Sequence, residues 1–137
     1  NTLSKLNCIL ASIEANKMGY DEGIMFDLNG NVSTCNSTNL FFIKKKVVYT
    51  STGKYCLNGI TRGKAINVCN QNDIKCLQKD FTFEEIEDCD EAFVTGTFAG
   101  IIPVSKLENR ALKSTASDSL VNEISTHYKN CIQRYIE

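Results

Sequence analysis

The chain has 137 residues, of which 42% are hydrophobic and 23% are charged, and its net charge is -1 at pH 7. This length and composition predict one folded domain and exclude a disordered or low-complexity polymer. Because 15 basic residues are balanced by 16 acidic ones, no positive field would attract a phosphate backbone, and we expect no nucleic-acid partner.

The sequence also indicates the cellular compartment in which the protein works. No apolar run approaches the roughly 20 residues of a membrane-spanning helix, and no signal-peptide pattern opens the chain. We therefore expect a cytoplasmic protein without a membrane segment. The seven cysteines are odd in number and show no C-x-x-C spacing, so we interpret them as reduced thiols rather than disulfides. With one histidine, His127, no metal site is predicted.

The first half of the chain is predicted to hold a helix and two β-hairpins. Gly19 stands where a left-handed cap would end the helix, which we expect to bury one face. Asn29-Gly30 is a strong hairpin signal and should join a strand over 22–27 to the strand that follows it. Strands over 39–43 and 47–50 should pair across three lysines. The apolar residues at helical spacing are Leu3, Leu6, Ile9, Leu10 and Ile13.

The second half is predicted to alternate helices with strands. A helix over 60–70 should bury Ile60, Ile66 and Cys69, and Thr82 to Glu85 has the capping-box pattern that begins a short helix. The whole order predicts an α+β, mixed α/β domain. The remaining predicted elements are strands over 75–81, 91–95 and 101–106, a turn at Asn109 and an amphipathic helix over 117–137.

Two segments have the composition of anion-binding turns. Leu57 to Arg62 places a glycine and the hydroxyl of Thr61 at the start of a helix, where free N–H groups and the helix dipole favour a phosphate. Thr95 to Gly100 places small residues and two hydroxyls after a strand, where backbone N–H groups can approach an anion. Taken separately, each segment is more often a plain turn or cap.

These two segments belong to a longer series of motifs, which occurs in one order along essentially the whole chain. The motifs are Gly19 to Ile24, Ser37 to Phe41, Leu57 to Arg62, Asp90 to Thr97 and Ile102 to Val104. In this order and spacing they resemble the fold-type IV, or class IV, pyridoxal-phosphate enzymes. That family includes branched-chain aminotransferases, D-amino-acid aminotransferases and aminodeoxychorismate lyases.

The resemblance implies that residues 1–137 form the large C-terminal domain of the D-amino-acid aminotransferase-like fold, with the small N-terminal domain absent. It also implies pyridoxal phosphate as cofactor, an amino acid or aminodeoxychorismate as substrate, and a homodimer. The implied cofactor-binding residues are Thr34, Asn39, Gly59, Ile60, Thr61, Gly96 and Thr97. The implied substrate-binding residues are Thr97, Phe98 and Ala99.

Two positions depart from the family pattern. The lysine that the family bonds to its cofactor falls here on Asn1, whose amide cannot form that bond or carry a proton. Lys5, one helical turn further on, is the candidate catalytic residue, and an exposed helical lysine is the alternative interpretation. The family's glutamate beside the pyridine nitrogen corresponds to Thr34, whose neutral hydroxyl cannot hold a ring proton as a carboxylate does. A non-catalytic fragment or relic that keeps the phosphate cradle is therefore the second hypothesis.

Overall fold

The computed structural model describes residues 4–134 as nine strands, three α-helices and one 3-10 turn. In chain order they are α1 (Leu6–Lys17), β1 (Ile24–Phe26), β2 (Val32–Cys35), β3 (Asn39–Lys44), β4 (Val47–Thr50), α2 (Ile60–Gln71), β5 (Cys76–Gln78), β6 (Glu91–Gly96), β7 (Gly100–Pro103), β8 (Lys106–Leu107), β9 (Arg110–Ala111), the 3-10 turn (Lys113–Thr115) and α3 (Leu120–Gln133). This order of elements confirms the predicted mixed α and β fold.

A five-stranded sheet with the order β5-β4-β3-β6-β7 forms the centre of the molecule. Its β4–β5 pair is parallel and its other pairs are antiparallel. Two separate hairpins pair β1 with β2 and β8 with β9. The central strand β3 is buried from Asn39 to Ile43, which explains why its sequence is an almost continuous apolar run rather than an alternating one.

Both faces of the sheet carry a hydrophobic core. On the face covered by α2 and α3, Phe41 of β3 stacks on Phe93 of β6 with 4.6 Å between ring centroids. The buried residues of this core include Phe41, Ile43, Val48, Ala65, Val68, Cys69, Phe93, Val121 and Ile124. The opposite face packs Leu40, Phe42, Phe81, Ile86, Cys89, Ala92 and Val94 with parts of β2 and the 107–112 segment.

The β3–β4 hairpin turns through two lysines in the left-handed region, Lys45 at φ 51° and Lys46 at φ 62°. A two-residue turn with both φ values positive favours Asn-Gly because a Cβ is strained there. We expect Lys45→Asn/Lys46→Gly to raise the free energy of unfolding by about 1 kcal/mol, measured by urea denaturation. Lys45→Ala/Lys46→Ala removes the same two charges but keeps a Cβ at position 46, so it should give no comparable gain; an equal gain would contradict a role for backbone strain in this turn.

The predicted helix α1 is present, and Gly19 follows it at φ 82°. The prediction that one face of this helix is buried is wrong. Ala15 is its one buried residue. The apolar stripe that was expected to pack inward is exposed to solvent at Leu6, Ile9, Leu10 and Ile13. Helical spacing shows which side chains share a face, and it does not show whether any other part of the chain covers that face.

Two other predictions need correction. Ile60 is 81% exposed rather than an inner residue of α2, because the inward face begins with Thr61 and Arg62, which are buried. The Thr82 to Glu85 segment forms only turns: the Thr82 N–H donates to the Glu85 carboxylate at 3.1 Å, as a capping box requires. The chain nevertheless does not continue as a helix, because Ile86 and Cys89 are both buried in the core on the sheet face opposite α2 and α3.

Ser114 ties the start of α3 to the central sheet. Its buried hydroxyl accepts the Ala92 N–H at 2.9 Å, and its carbonyl accepts from Ser119, which caps α3. We expect Ser114→Ala to lower the free energy of unfolding by about 1–3 kcal/mol, because it leaves a buried N–H without a partner. Chemical denaturation measures the change, and the exposed Ser117→Ala should shift stability by less than about 0.5 kcal/mol. Equal losses of stability in the two variants would contradict this role of Ser114.

All seven cysteines lie in the described part of the chain and are free thiols. Within residues 4–134, no group of three or more His, Cys, Asp or Glu side chains is arranged to hold a metal ion. None of the helices described here combines the length and apolarity that crossing a membrane requires.

Candidate functional site

Asn39, the first residue of β3, lies between the two anion-binding turns predicted from the sequence. Its backbone is paired with Thr95 in the β3–β6 ladder. Its buried side-chain amide donates to the carbonyl of Leu57 at 3.0 Å. A Cβ added to Gly59 would lie 2.7 Å from the Asn39 Oδ1 atom. The turn before α2 and the end of β6 therefore meet at one end of the central strand, on either side of Asn39.

The N-terminus of α2 has N–H groups without an acceptor inside the helix. Gly59 is the N-cap residue, so no side chain caps the helix, and its first turn contains no acidic residue. The first intrahelical bond runs from Gly63 N to Gly59 O at 3.0 Å, which leaves the N–H groups of Ile60, Thr61 and Arg62 free of that ladder. A helix end with free donors and a positive dipole favours a bound anion.

Two threonine hydroxyls near Asn39 are buried without a partner among the described residues, Thr38 Oγ1 and Thr95 Oγ1. Unpaired buried hydroxyls are uncommon because each loses its hydrogen bonds to water. Thr95 was one of the two hydroxyls expected in the second anion-binding turn, but it was not among the predicted cofactor-binding residues. Strand alternation could have found it, since Thr95 lies two residues after the inward-facing Phe93.

The turn between β6 and β7 carries the remaining predicted ligands. A Cβ added to Gly96 would lie 3.5 Å from the Thr38 methyl group, so this strand end packs against the residue before Asn39. Thr97, Phe98 and Ala99 follow it and are exposed. These three side chains are thus on the surface beside Asn39, with none of them fixed by a hydrogen bond to residues 4–134.

The residues of this site have the chemistry of a phosphate receptor. The free N–H groups at the helix start and the threonine hydroxyls can donate hydrogen bonds to an anion. The glycines, which have no side chain, leave space for the anion to approach the backbone. Thr61 is buried in the first turn of α2, beside these N–H groups. These features fit the phosphate group of pyridoxal phosphate.

Thr34, predicted to face the cofactor ring nitrogen, is connected to the same site. Its hydroxyl donates to the Thr38 carbonyl at 2.7 Å, and the Asn39 amide lies 3.5 Å from it as a donor. Because the hydroxyl proton already bonds to Thr38, what Thr34 can offer to a further group is a neutral oxygen lone pair. It can accept a hydrogen bond, but it cannot supply the charge of a carboxylate.

Lys5, the predicted catalytic residue, is not brought to these turns by any described contact. It is the exposed N-cap residue of α1, and in the part of the chain that the structure describes its ammonium group has neither a hydrogen bond nor an ion pair. Helix α1 does approach the chain closely at Gly23, where an added Cβ would lie 3.1 Å from the Ala11 carbonyl oxygen. Asn1, the position of the family lysine, lies outside the described residues.

Arg62, the last residue of the first predicted turn motif, is a buried cation for which the sequence indicated no role. Its guanidinium donates to Ser51 O at 2.7 Å, to Gln78 Oε1 at 2.8 Å and to Asn58 Oδ1 at 3.0 Å. It therefore anchors the start of α2 to β5 and to the segment after β4. Its position three residues before the buried Ala65 is the signal that could have placed it on the inner face of the helix.

Comparisons with known proteins agree with this architecture. The profile of the family described as amino-transferase class IV matches residues 1–107. A branched-chain-amino-acid aminotransferase of Pseudomonas aeruginosa is 33% identical over 123 residues, which are 90% of this chain and 40% of that protein.

Solved structures of other proteins are also similar to the chain. One is a putative 4-amino-4-deoxychorismate lyase of Legionella pneumophila, with a TM-score of 0.86 and 26% identity over 93% of this chain and 47% of that one. Another is an aminotransferase of Brucella abortus bound to its co-factor PLP, with a TM-score of 0.84 and 25% identity over 90% of this chain and 44% of that one. The chain thus spans less than half the length of each of these relatives.

Proposed function

The chain belongs to the class IV aminotransferase family, and from this we propose that residues 1–137 are the large C-terminal domain of such a protein. The whole protein would bind pyridoxal phosphate and act on an amino acid by transamination or on aminodeoxychorismate as a lyase. The observation that carries the proposal is the meeting of two donor-rich turns around Asn39. The whole protein is proposed to work in the cytoplasm, where its free thiols would stay reduced.

Each residue of the site has a distinct proposed task. The N–H groups of Ile60 and Thr61, with the Thr61 hydroxyl, hold the cofactor phosphate at the helix start. Thr97 adds a second hydroxyl from the β6–β7 turn. Asn39 is a positioning residue, because its amide donates to Leu57 and thereby holds the Gly59 turn in place. The turn residues Gly96, Phe98 and Ala99 border the phosphate and the substrate carboxylate.

Pyridoxal phosphate, when bound, supplies an electron sink for breaking bonds at the α-carbon of a substrate. Full use of that sink requires a protonated ring nitrogen, and Thr34 offers only a neutral acceptor there. Lys5 is the proposed amine that would bond to the cofactor and move the substrate proton. Its exposure at the start of α1 favours the second candidate function, a non-catalytic domain that keeps the phosphate site.

One experiment separates the two candidate functions. The 137-residue chain is titrated with pyridoxal phosphate, binding is followed by absorbance and by quenching of tyrosine fluorescence, and the complex is then reduced with borohydride and mapped by peptide mass spectrometry. Saturable binding with label at Lys5 supports the enzyme, whereas saturable binding without a specific lysine label supports the non-catalytic domain. Absence of saturable binding by a folded chain contradicts the phosphate site itself.

The whole protein is also proposed to be a homodimer. Apolar side chains of α1 and of the two turns are exposed, including Leu6, Leu57, Ile60 and Phe98, and large exposed apolar patches are typical of interaction surfaces. In the whole protein they would face the N-terminal domain or a second copy. We expect analytical ultracentrifugation of the chain at micromolar concentration to show self-association. If the chain is strictly monomeric, these apolar side chains do not form the contact between two copies.

A further inference from the structure

Thr95 of β6 lies on the face of the sheet that α2 and α3 cover. It follows Phe93 by two residues, and alternate residues of a strand point to the same face. Phe93 belongs to the core beneath the two helices, and so does Ile101, which pairs with Thr95 in the β6–β7 ladder. The Thr95 side chain therefore projects from the sheet toward the helices.

The residue opposite Thr95 shows which part of α2 the threonine faces. Asn39 pairs with Thr95 in the β3–β6 ladder, and residues opposite each other in an antiparallel pair project to one face with Cβ atoms about 4.5–5.5 Å apart. The Asn39 amide donates to Leu57 O at 3.0 Å, and a Cβ at Gly59 would lie 2.7 Å from its Oδ1 atom. Thr95 is thus aimed at the turn that begins α2, beside a residue that contacts this turn.

The hydroxyl of Thr95 is buried without a hydrogen-bond partner. The residue is 2% exposed, and within residues 4–134 its Oγ1 atom has neither a donor nor an acceptor. By contrast, the buried hydroxyl of Thr50 donates to Leu40 O at 2.8 Å. A hydroxyl that has lost its water and found no partner destabilises the fold. Thr95 therefore has a proton to donate for which the described chain supplies no acceptor.

The backbone groups that the start of α2 presents are donors as well. The N–H groups of Ile60 and Thr61 have no acceptor inside the helix, and the helix dipole places positive partial charge there. An N–H group cannot accept the hydroxyl proton of Thr95, so an acceptor from outside the described residues is needed to use all these donors. A phosphate group has several acceptor oxygens and a negative charge, which the dipole also favours.

We propose that Thr95 is a phosphate-binding residue, whose hydroxyl donates to an oxygen of the phosphate group held at the start of α2. This inference rests on the proposed function, since it adds a donor to the site described there. Thr95 differs from Thr97, which is exposed in the β6–β7 turn, because it is buried and fixed within a strand. A buried donor that is already held in place loses little entropy on binding and competes less with water, so its hydrogen bond to phosphate is strong.

The test is Thr95→Val, which replaces the hydroxyl by a methyl group of nearly the same size. We expect the folded 137-residue chain to bind pyridoxal phosphate and inorganic phosphate about tenfold more weakly, measured by absorbance titration and by competition. The ligand-free variant should at the same time unfold at a higher urea concentration, because a buried hydroxyl without a partner has been removed. Thr95→Ser keeps the hydroxyl and should keep most of the affinity.

Thr50→Val is the matched control, because Thr50 is a buried strand threonine whose hydroxyl is bonded within the fold. It should unfold at a lower urea concentration and bind both probes as the original chain does, the reverse of Thr95→Val. Equal affinity of Thr95→Val and the original chain overturns the role of Thr95 and leaves the phosphate site in place. A lower urea midpoint for Thr95→Val also overturns it, since the hydroxyl would then be bonded internally. If the folded original chain binds neither probe, the proposed phosphate site itself is wrong, and the role of Thr95 with it.

Discussion

Phe93→Ala is expected to lower the free energy of unfolding by about 3–5 kcal/mol, the largest stability loss that we predict for this chain. Phe93 lies in the middle of β6, has no solvent exposure and stacks on Phe41 with an interplanar angle of 9°. Its removal leaves a cavity between the sheet and the two helices that cover it. Because domains of this size are stable by only about 5–15 kcal/mol, the loss is a large part of the total.

The measurement is urea denaturation followed by circular dichroism. Phe98→Ala is the matched control, since that ring is fully exposed and its truncation should change stability by less than about 0.5 kcal/mol. If Phe93→Ala does not fold, Phe93→Leu should still fold with a smaller loss. Similar stabilities of the Phe93→Ala and Phe98→Ala variants would contradict the placement of the core on this face of the sheet.

Gly59→Ala is expected to weaken pyridoxal-phosphate binding by at least about tenfold, which corresponds to about 1.4 kcal/mol. The new Cβ would lie 2.7 Å from Asn39 Oδ1, so the buried amide must move. Its hydrogen bond to Leu57 O would then break, and the turn that presents the Ile60 and Thr61 N–H groups would shift. The effect is large because Asn39 joins both turns: its side-chain amide holds the Gly59 turn, and its backbone pairs with Thr95.

Gly63→Ala provides the matched control on the same helix. A Cβ at Gly63 meets nothing within 4 Å, and alanine is a better helix former by about 0.5–1 kcal/mol. This variant should be slightly more stable and should bind pyridoxal phosphate as the original chain does. Dissociation constants from absorbance titration decide the outcome. Equal affinity of the two variants would contradict the role of the Gly59 turn in holding the phosphate.

Much of the local structure followed from short patterns in the sequence. Asn29-Gly30 indicated the first hairpin, and Gly30 does take a positive φ of 81°. Two lysines of the predicted triplet, Lys45 and Lys46, form the turn between β3 and β4, whereas Lys44 ends β3 in a pair with Val47. The long amphipathic helix at the end was also correct, because Val121 and Ile124 lie on its buried face. These signals depend on the conformational preferences of a few adjacent residues, which the sequence contains in full.

The failures came where the outcome depends on contacts between distant residues. The apolar stripe of α1 had the right spacing, but the described chain does not cover it. Ile60 was expected inside and is outside, whereas the charged Arg62 is inside because Ser51, Asn58 and Gln78 satisfy its donors. Burial of a charge depends on partners that lie far away along the chain, and no local pattern reports them.

The sequence by itself determined the family of the chain and the two turns rich in glycine and threonine, because motif order and spacing are properties of the chain alone. The tertiary structure decided that these turns meet at Asn39, that the Thr34 hydroxyl donates to the Thr38 carbonyl, and that Arg62 is buried among acceptors from Ser51, Asn58 and Gln78. The physical reason is that hydrogen bonds and electrostatic effects act over a few ångströms of space. Only the pairing of strands and the packing of α2 on the sheet fix which residues lie within that range.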